Sequence, residues 1–495
     1  MYEINFFKKV SVASTFAVAI FANAQEFQQN GINYQVIDTT ANLVKVIASP
    51  DATGEVEIPI RVSDGGVTYT VALIGNSAFR SNLNITGITI PQTVQKIENN
   101  AFDGCKTLSS VVLPEGLEAI GDSTFDGCEE LVRISIPASV TSIGRNVFLN
   151  CTKLVTINVD ASNQNYMSDS GILFSKDKKV IYRFPTAKTL TEYTIPDSVE
   201  TIELGAFEGA RFSSVSIPNS VKIIKESAFL NCVRLYNVNI PDSVQEIGNM
   251  AFASCLNLRE FNISASVTKI GDNVFTYCSN LVNINVNEGN AFYSSEDGVL
   301  FDRKKRILVY SPIGKRGAYS VPDGVIEIGR SAFANSNLTS VVFPATLKNF
   351  RRNAMFGAEK ITEIFIHTNT PPTLERQVFD AMPVSSITLK VPVGAGATYK
   401  STDVWRDFNI VEDATLSAQD ASLKASDLSV YPNPVVNILN IKSDEKIGNV
   451  ALYNSAGQVV KTFELNKGEN KIDVSTLNKG VYFINLKGKV YKVLK

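Results

Sequence analysis

The chain has 495 residues, 44% of them apolar, with 47 Lys and Arg against 49 Asp and Glu. A net charge of −2 gives no global pull toward nucleic acid or an acidic membrane. The apolar content suits an elongated folded protein and excludes a disordered one.

The N-terminus reads as an address. Lys8 and Lys9 precede an apolar run over 10–21, and Ala22, Asn23 and Ala24 follow as a small-x-small cleavage site. The run is too short to span about 30 Å of hydrocarbon comfortably, so residues 1–24 are expected to be a signal peptide. No other segment is apolar and long enough to span, so the mature chain is expected to have no transmembrane segment. Residues 25–57 are left as an N-terminal cap.

From 58 to 392 one sentence recurs: Pro-x-x-Val-x-x-Ile-Gly-x-x-x-Phe-x-x-Cys-x-x-Leu-x-x-Ile-x-Ile. Phe79, Phe102, Phe125, Phe148, Phe207, Phe229, Phe252, Phe275, Phe333, Phe356 and Phe379 mark its copies. Cys105, Cys128 and Cys151 are spaced by 23, as are Cys232, Cys255 and Cys278. A period in the twenties predicts a leucine-rich-repeat solenoid, an α/β fold with a short strand and a short helical bend in each unit. Six buried side chains at ~1.5–3 kcal/mol each give roughly 9–18 kcal/mol. Ordering one unit costs on the order of 35 kcal/mol, so a unit must stack on its neighbours.

A longer repeat overlies the short one. Cys105 to Cys232 and Gly171 to Gly298 are both 127 residues apart. Each half ends in an insert, "YMSDSGILFSKDKKVIYRFP" (166–185) and "YSSEDGVLFDRKKRILVYSP" (293–312), which predicts a projecting β-hairpin with a charged turn. Residues 393–413 read as a C-terminal cap and 414–427, small and polar, as a linker. Short alternating strands between Asn-, Gly- and Lys-rich turns over 428–495 predict a small all-β sandwich of the immunoglobulin-like kind.

Little in this text suits catalysis, cofactor binding or metal binding. The cysteines form three-member ladders, and units without Cys carry Asn82, Ala210 or Ser336 there, as a packing site tolerates. There is no CxxC, and the one histidine, His367, follows a strand near the sheet edge. The segment "DASNQNY" at 160–166 fails the calcium-loop pattern. The repeat instead predicts surface. Its two outward positions form rows, one running from Gly87 through Ser110 to Glu363 and Ser386, the other from Thr89 through Val112 to Phe365 and Thr388. Asn237, Asn239, Asn262, Asn283 and Asn285 fall together on these rows as a patch of amides, a candidate ligand-binding face. Lys178 and Lys179 in one hairpin turn, and Arg303, Lys304, Lys305 and Arg306 in the other, are a second candidate: two cationic points able to grip a polyanion together.

The Ile-Pro-x-x-Val, Ile-Gly-x-x-x-Phe, Cys-x-x-Leu and Tyr-x-Ser-x-x-Gly-x-Leu-Phe words over about 58–410 resemble the BspA-type leucine-rich-repeat family. That resemblance implies a surface adhesion or host-interaction protein and brings no catalytic residues. Tyr431-Pro432-Asn433-Pro434, Asn454-x-x-Gly457, Asp473-x-Ser475-x-Leu477-x-x-Gly480-x-Tyr482 and the basic tail 489–495 resemble the C-terminal sorting domain of the type IX secretion (Por) system. This second resemblance implies export by that machinery, then attachment to surface lipopolysaccharide or release. The expectation is an exported adhesion protein, not an enzyme, whose partner is a host or bacterial surface protein or glycan. The alternatives are an exported hydrolase with cryptic carboxylates and a passive surface-layer component.

Overall fold

The computed structural model describes residues 25–416 and, within 429–495, all but 432–434, 436, 444–445, 455–457, 479 and 487–488. The expected signal peptide and all of the linker beyond 416 lie outside the described residues. Two compact units form: one runs to Arg303 and adds Pro312–Gly314, the other comprises Lys304–Ser311 and the chain from Lys315.

In the first unit each repeat contributes two strands to two parallel ladders. The longer strands pair in sequence, Gly54–Glu57 with Ile85–Thr89 and that with Ser110–Val112. Arg133–Ile136 pairs with Thr156–Val159. After the first insert the ladder resumes through Glu192–Thr194, Ser214–Ser216, Asn237–Asn239, Glu260–Ile263 and Asn283–Val286. Two-residue strands such as Lys96–Ile97, Ala119–Ile120 and Ser142–Ile143 make the other ladder. Strands alternate inward and outward, so Phe261 and Ile284 are buried while Glu260, Asn262, Asn283 and Asn285 face water.

The expected helical bend around each Phe is not a helix. It is a chain of turns with a left-handed residue two places before and two places after the buried aromatic, as at Asn100 and Gly104 around Phe102 (φ 56° and 72°). Its amides bond to the next rung: Phe102 N–H donates to the Thr124 carbonyl at 2.9 Å and Phe125 N–H to the Val147 carbonyl at 3.0 Å. The architecture is therefore a β-solenoid. Rung-to-rung bonding satisfies the backbone without a helix.

The core is a set of ladders. Phe207, Phe229 and Phe252 stack with centroids 4.9 Å apart and planes within 6°. All six cysteines are free and buried. Each thiol donates to the carbonyl of the preceding rung's Phe, as Cys105 Sγ to Phe79 O at 2.9 Å and Cys278 Sγ to Phe252 O at 3.1 Å. In the first rung Asn82 takes the cysteine's place and donates to the Ala52 carbonyl at 2.9 Å.

The inserts terminate the ladders. Tyr166 and Tyr293, 127 residues apart, each accept an edge amide through the phenol oxygen, from Ile143 and Ile270, at 3.0 Å. Buried Asn163 and Asn290 each accept two amides from the chain that follows and donate to two carbonyls of the rung before. Gly171 (φ 81°) and Gly298 (φ 69°) lie so close to the sheet that a Cβ would stand 2.4 Å from Thr156 Oγ1 or 2.5 Å from Asn283 Oδ1. The first insert is not the projecting two-stranded hairpin expected: Tyr166–Asp169, Ile172–Ser175 and Val180–Arg183 form an antiparallel three-stranded ribbon, and its last strand pairs in parallel with Thr201–Ile202 and so rejoins the solenoid. Each insert thus covers an edge that would otherwise offer bare amides to another chain.

In the second unit Gly317–Ser320, Leu338–Phe343, Glu363–Ile366, Thr388–Pro392 and Asn409–Asp413 continue the same parallel pattern. Two sequence expectations fail here. Met355, fully buried, holds the aromatic's place, and the expected marker Phe356 is only half-buried. Glu363 pairs with Thr388, not Ser386, which lies in a 3-10 turn, so the last strand is offset by two residues. The one described α-helix, Gly396–Ser401, carries Tyr399 under Trp405, whose indole donates to the Pro372 carbonyl at 3.0 Å. Residues 429–495 form a three-stranded and a four-stranded antiparallel sheet sharing a core that includes Leu439, Leu452, Ile472 and Ile484. Two small sheets thus close around one core.

Candidate functional site

The amide patch assembles as the period requires. Asn239, Asn262 and Asn285 stand opposite one another on consecutive parallel strands; Asn237 pairs with Ser214, and Asn283 with Glu260. All five asparagines are exposed. Asn285 Nδ2 donates to Asn262 Oδ1 at 3.0 Å and also to the Glu260 carboxylate. Among the described residues the side chains of Asn237, Asn239 and Asn283 make no hydrogen bond, so their donors and acceptors face solvent. Beside the row, a depression of ≈ 680 Å³ is lined by Asn239, Asn262 and Asn285 and by Pro241, Asp242 and Asn287 from the turns beyond the strands. Tyr236, which precedes Asn237, is 55% exposed. The repeat motif assigns that position no role, so the period carries no signal for it.

The cationic turns differ from expectation. Lys178, in the left-handed region (φ 60°), is half-buried and pairs with Asp169 at 2.5 Å. The bond from Lys178 holds the Asp169 carboxyl below its ordinary value. Lys179 pairs with Glu200 at 2.8 Å, which lowers the Glu200 carboxyl likewise. The first turn's charges are therefore largely answered within the fold. In the second turn Lys305 repeats the left-handed conformation (φ 52°). Arg303 and Lys304 are exposed and have no ion pair among the described residues; Arg306 is exposed too.

Among the described residues no group of three or more His, Cys, Asp or Glu gathers to hold a metal ion. His367 Nδ1 lies 3.3 Å from the Leu416 carbonyl. Burial pushes the Cys105, Cys151 and Cys278 thiols up to about 12, far from nucleophilic thiolates. No helix among the described residues is long and apolar enough to cross a membrane.

Comparison with known proteins matches two families. The BspA type Leucine rich repeat region matches residues 72–182, 180–296 and 317–399, and the Secretion system C-terminal sorting domain matches 429–495. Among curated proteins, Beta-agarase A of Zobellia galactanivorans is 29% identical over 147 residues, which is 28% of this chain and 26% of the agarase. The chain thus matches about a quarter of that relative's length. Among solved structures, a leucine-rich repeat protein from Eubacterium ventriosum is 21% identical, with 72% of this chain and 93% of that one covered and a TM-score of 0.45. The pneumococcal vaccine antigen PcpA is 19% identical, with 79% and 99% covered and a TM-score of 0.42. A leucine-rich repeat protein from Bacteroides ovatus is 21% identical, with 78% and 99% covered and a TM-score of 0.38.

Proposed function

Because the chain belongs to the BspA type leucine-rich-repeat family and ends in a sorting domain that directs type IX secretion to the cell surface or the extracellular space, we propose that it is an adhesion protein whose solenoid binds a polar protein or glycan. The observation that carries this reading is the row Asn239, Asn262 and Asn285, exposed in strict register beside a depression. Amides present a donor and an acceptor at each step, and the strands repeat them about every 4.8 Å, which suits weak, multivalent contact with hydroxyl-rich or peptide surfaces. Tyr236, directly before Asn237 in the chain, is an exposed aromatic of the kind that anchors such contacts. Arg303 and Lys304 add a cationic point for an anionic partner, with Lys305 and Arg306 in the same turn.

The test is binding of the exported chain to panels of host matrix proteins, bacterial surface proteins and glycans. Agar oligosaccharides belong in the panel because of the match to the agarase. Replacing Asn239, Asn262 and Asn285 together by Ser should abolish the strongest interaction and leave the melting temperature unchanged. Release of reducing ends from any glycan would favour the exported-hydrolase reading. Undiminished binding by the triple variant would move the site off this face.

A further inference from the structure

The first insert does more than close an edge. It interrupts the solenoid between the rung of Phe148 and the rung of Phe207, and a cavity of ≈ 390 Å³ lies at the break. One side is the last turn before the insert, with Arg145, Asn146 and Phe148; the other includes Leu173, Tyr182 and Arg183. The volume is in the range of small-ligand pockets.

Its polar groups are short of partners in a consistent way. Elsewhere in the stack the amide of the residue two before the Phe, and that of the Phe itself, donate to the next rung: Asn100 to Asp122 O at 2.8 Å and Phe102 to Thr124 O at 2.9 Å. At the break the next rung is displaced by the insert. Among the described residues the amides of Asn146 and Phe148 find no such carbonyl. Asn146 is in the left-handed region (φ 56°), and successive amides around such a residue make an anion-binding concavity. Arg183 is 5% exposed; its Nη1 donates to Gly205 O at 2.6 Å and its Nη2 to Thr186 Oγ1 at 2.9 Å, yet its Nε has no partner. Arg145 is exposed and without an ion pair among the described residues. Asn146 Oδ1 is a buried acceptor with no donor.

The carboxylates that line the cavity, Asp122 and Glu203, each already hold a partner. Glu203 is held by Lys225 at 2.8 Å, and Asp122 Oδ1 accepts the Arg145 backbone amide at 2.7 Å. Glu208 and Asp126, which act on Arg183 electrostatically, do not line the cavity. The second half of the chain serves as an internal comparison. The positions 127 residues on from Arg145, Asn146 and Arg183 are Asp272, Asn273 and Tyr310, so the second half keeps the amide and lacks both cations.

We propose that this cavity binds a small hydroxylated carboxylate of uronic-acid size. The carboxylate accepts from the Asn146 and Phe148 amides, Arg183 Nε and Arg145. A ligand hydroxyl donates to Asn146 Oδ1, and the apolar side of the ring rests against Leu173 and Tyr182.

The experiment is calorimetric titration of the full exported chain with glucuronate, glucose and acetate. Three proteins are compared: the wild type, Arg145→Ala at an exposed position, and Asn146→Gly, which suits the left-handed backbone and deletes the amide oxygen. One equivalent of glucuronate should bind, with glucose far weaker. Arg145→Ala should weaken glucuronate roughly fivefold. Asn146→Gly should remove the preference for glucuronate over acetate. Melting curves matching the wild type identify both variants as folded; if one is not, Arg145→Gln and Asn146→Ala replace them. Glucuronate binding no tighter than glucose, or binding that neither variant changes, overturns the assignment. The asparagine face is untouched by these variants, so its own test stands or fails separately.

Discussion

Replacing Phe229 by Leu tests whether aromatic stacking, beyond simple burial, holds the rungs together. Phe229 is fully buried between Phe207 and Phe252, each 4.9 Å away and within 6° of parallel. Leu keeps most of the apolar surface and removes both ring pairs, worth ~0.5–1.5 kcal/mol each, so the expected loss is about 1–3 kcal/mol. Phe79 is the matched control: it is 1% exposed and stacks on Phe102 alone, at 5.2 Å. Phe79→Leu should therefore cost roughly half as much. A long repeat array does not unfold in one step, so a global midpoint would blur the comparison. Native-state hydrogen exchange reads each rung instead. The relevant amides are those of Phe229 and Phe79, which donate at 2.7 Å to the carbonyls of Ala251 and Ala101. Equal losses at the two sites, or a loss at Phe229 under about 0.5 kcal/mol, would refute the stacking argument.

Alkylation in denaturant without reductant should add six adducts per chain, because every cysteine is free; four or fewer would mean disulfides form. In the folded chain the thiols at Cys105, Cys151 and Cys278 are raised from 9.0 to about 12. Their contribution to stability is therefore full below pH 9 and lost as pH climbs toward 12, visible as a melting temperature that falls over that window. Met250 sits in the left-handed region (φ 53°) where most other rungs place Asn or Ser, so Met250→Asn should stabilise by roughly 0.5–1 kcal/mol in urea unfolding. Tyr293→Phe removes the acceptor of the Ile270 amide and should cost about 1–2 kcal/mol, read as faster exchange of that amide; unchanged protection would mean the hairpin does not close the edge. Deleting residues 428–495 should leave a folded solenoid in the periplasm, and normal surface display of the shortened chain would contradict the sorting role.

What the sequence determined by itself is whatever repeats. A unit that cannot fold alone must stack, so the period by itself specifies the ladders, the buried cysteines and the in-register asparagines. The charged turns and the outward rows were equally legible as positions. Their partners were not, because Lys178 and Asp169 meet only when two hairpin strands close, nine residues apart along the chain. Met355 in the aromatic's place and the two-residue offset at Thr388 escaped the motif because packing selects a buried side chain of suitable shape, not a letter. The turns that replace the expected helical bend are hidden for a related reason: next-rung carbonyls satisfy those amides, and a single unit contains no next rung. Arg183 marks the limit of periodic reading. It stands once, at a break in the repeat, and only the tertiary structure brings Arg183, Asn146 and Phe148 to line one cavity.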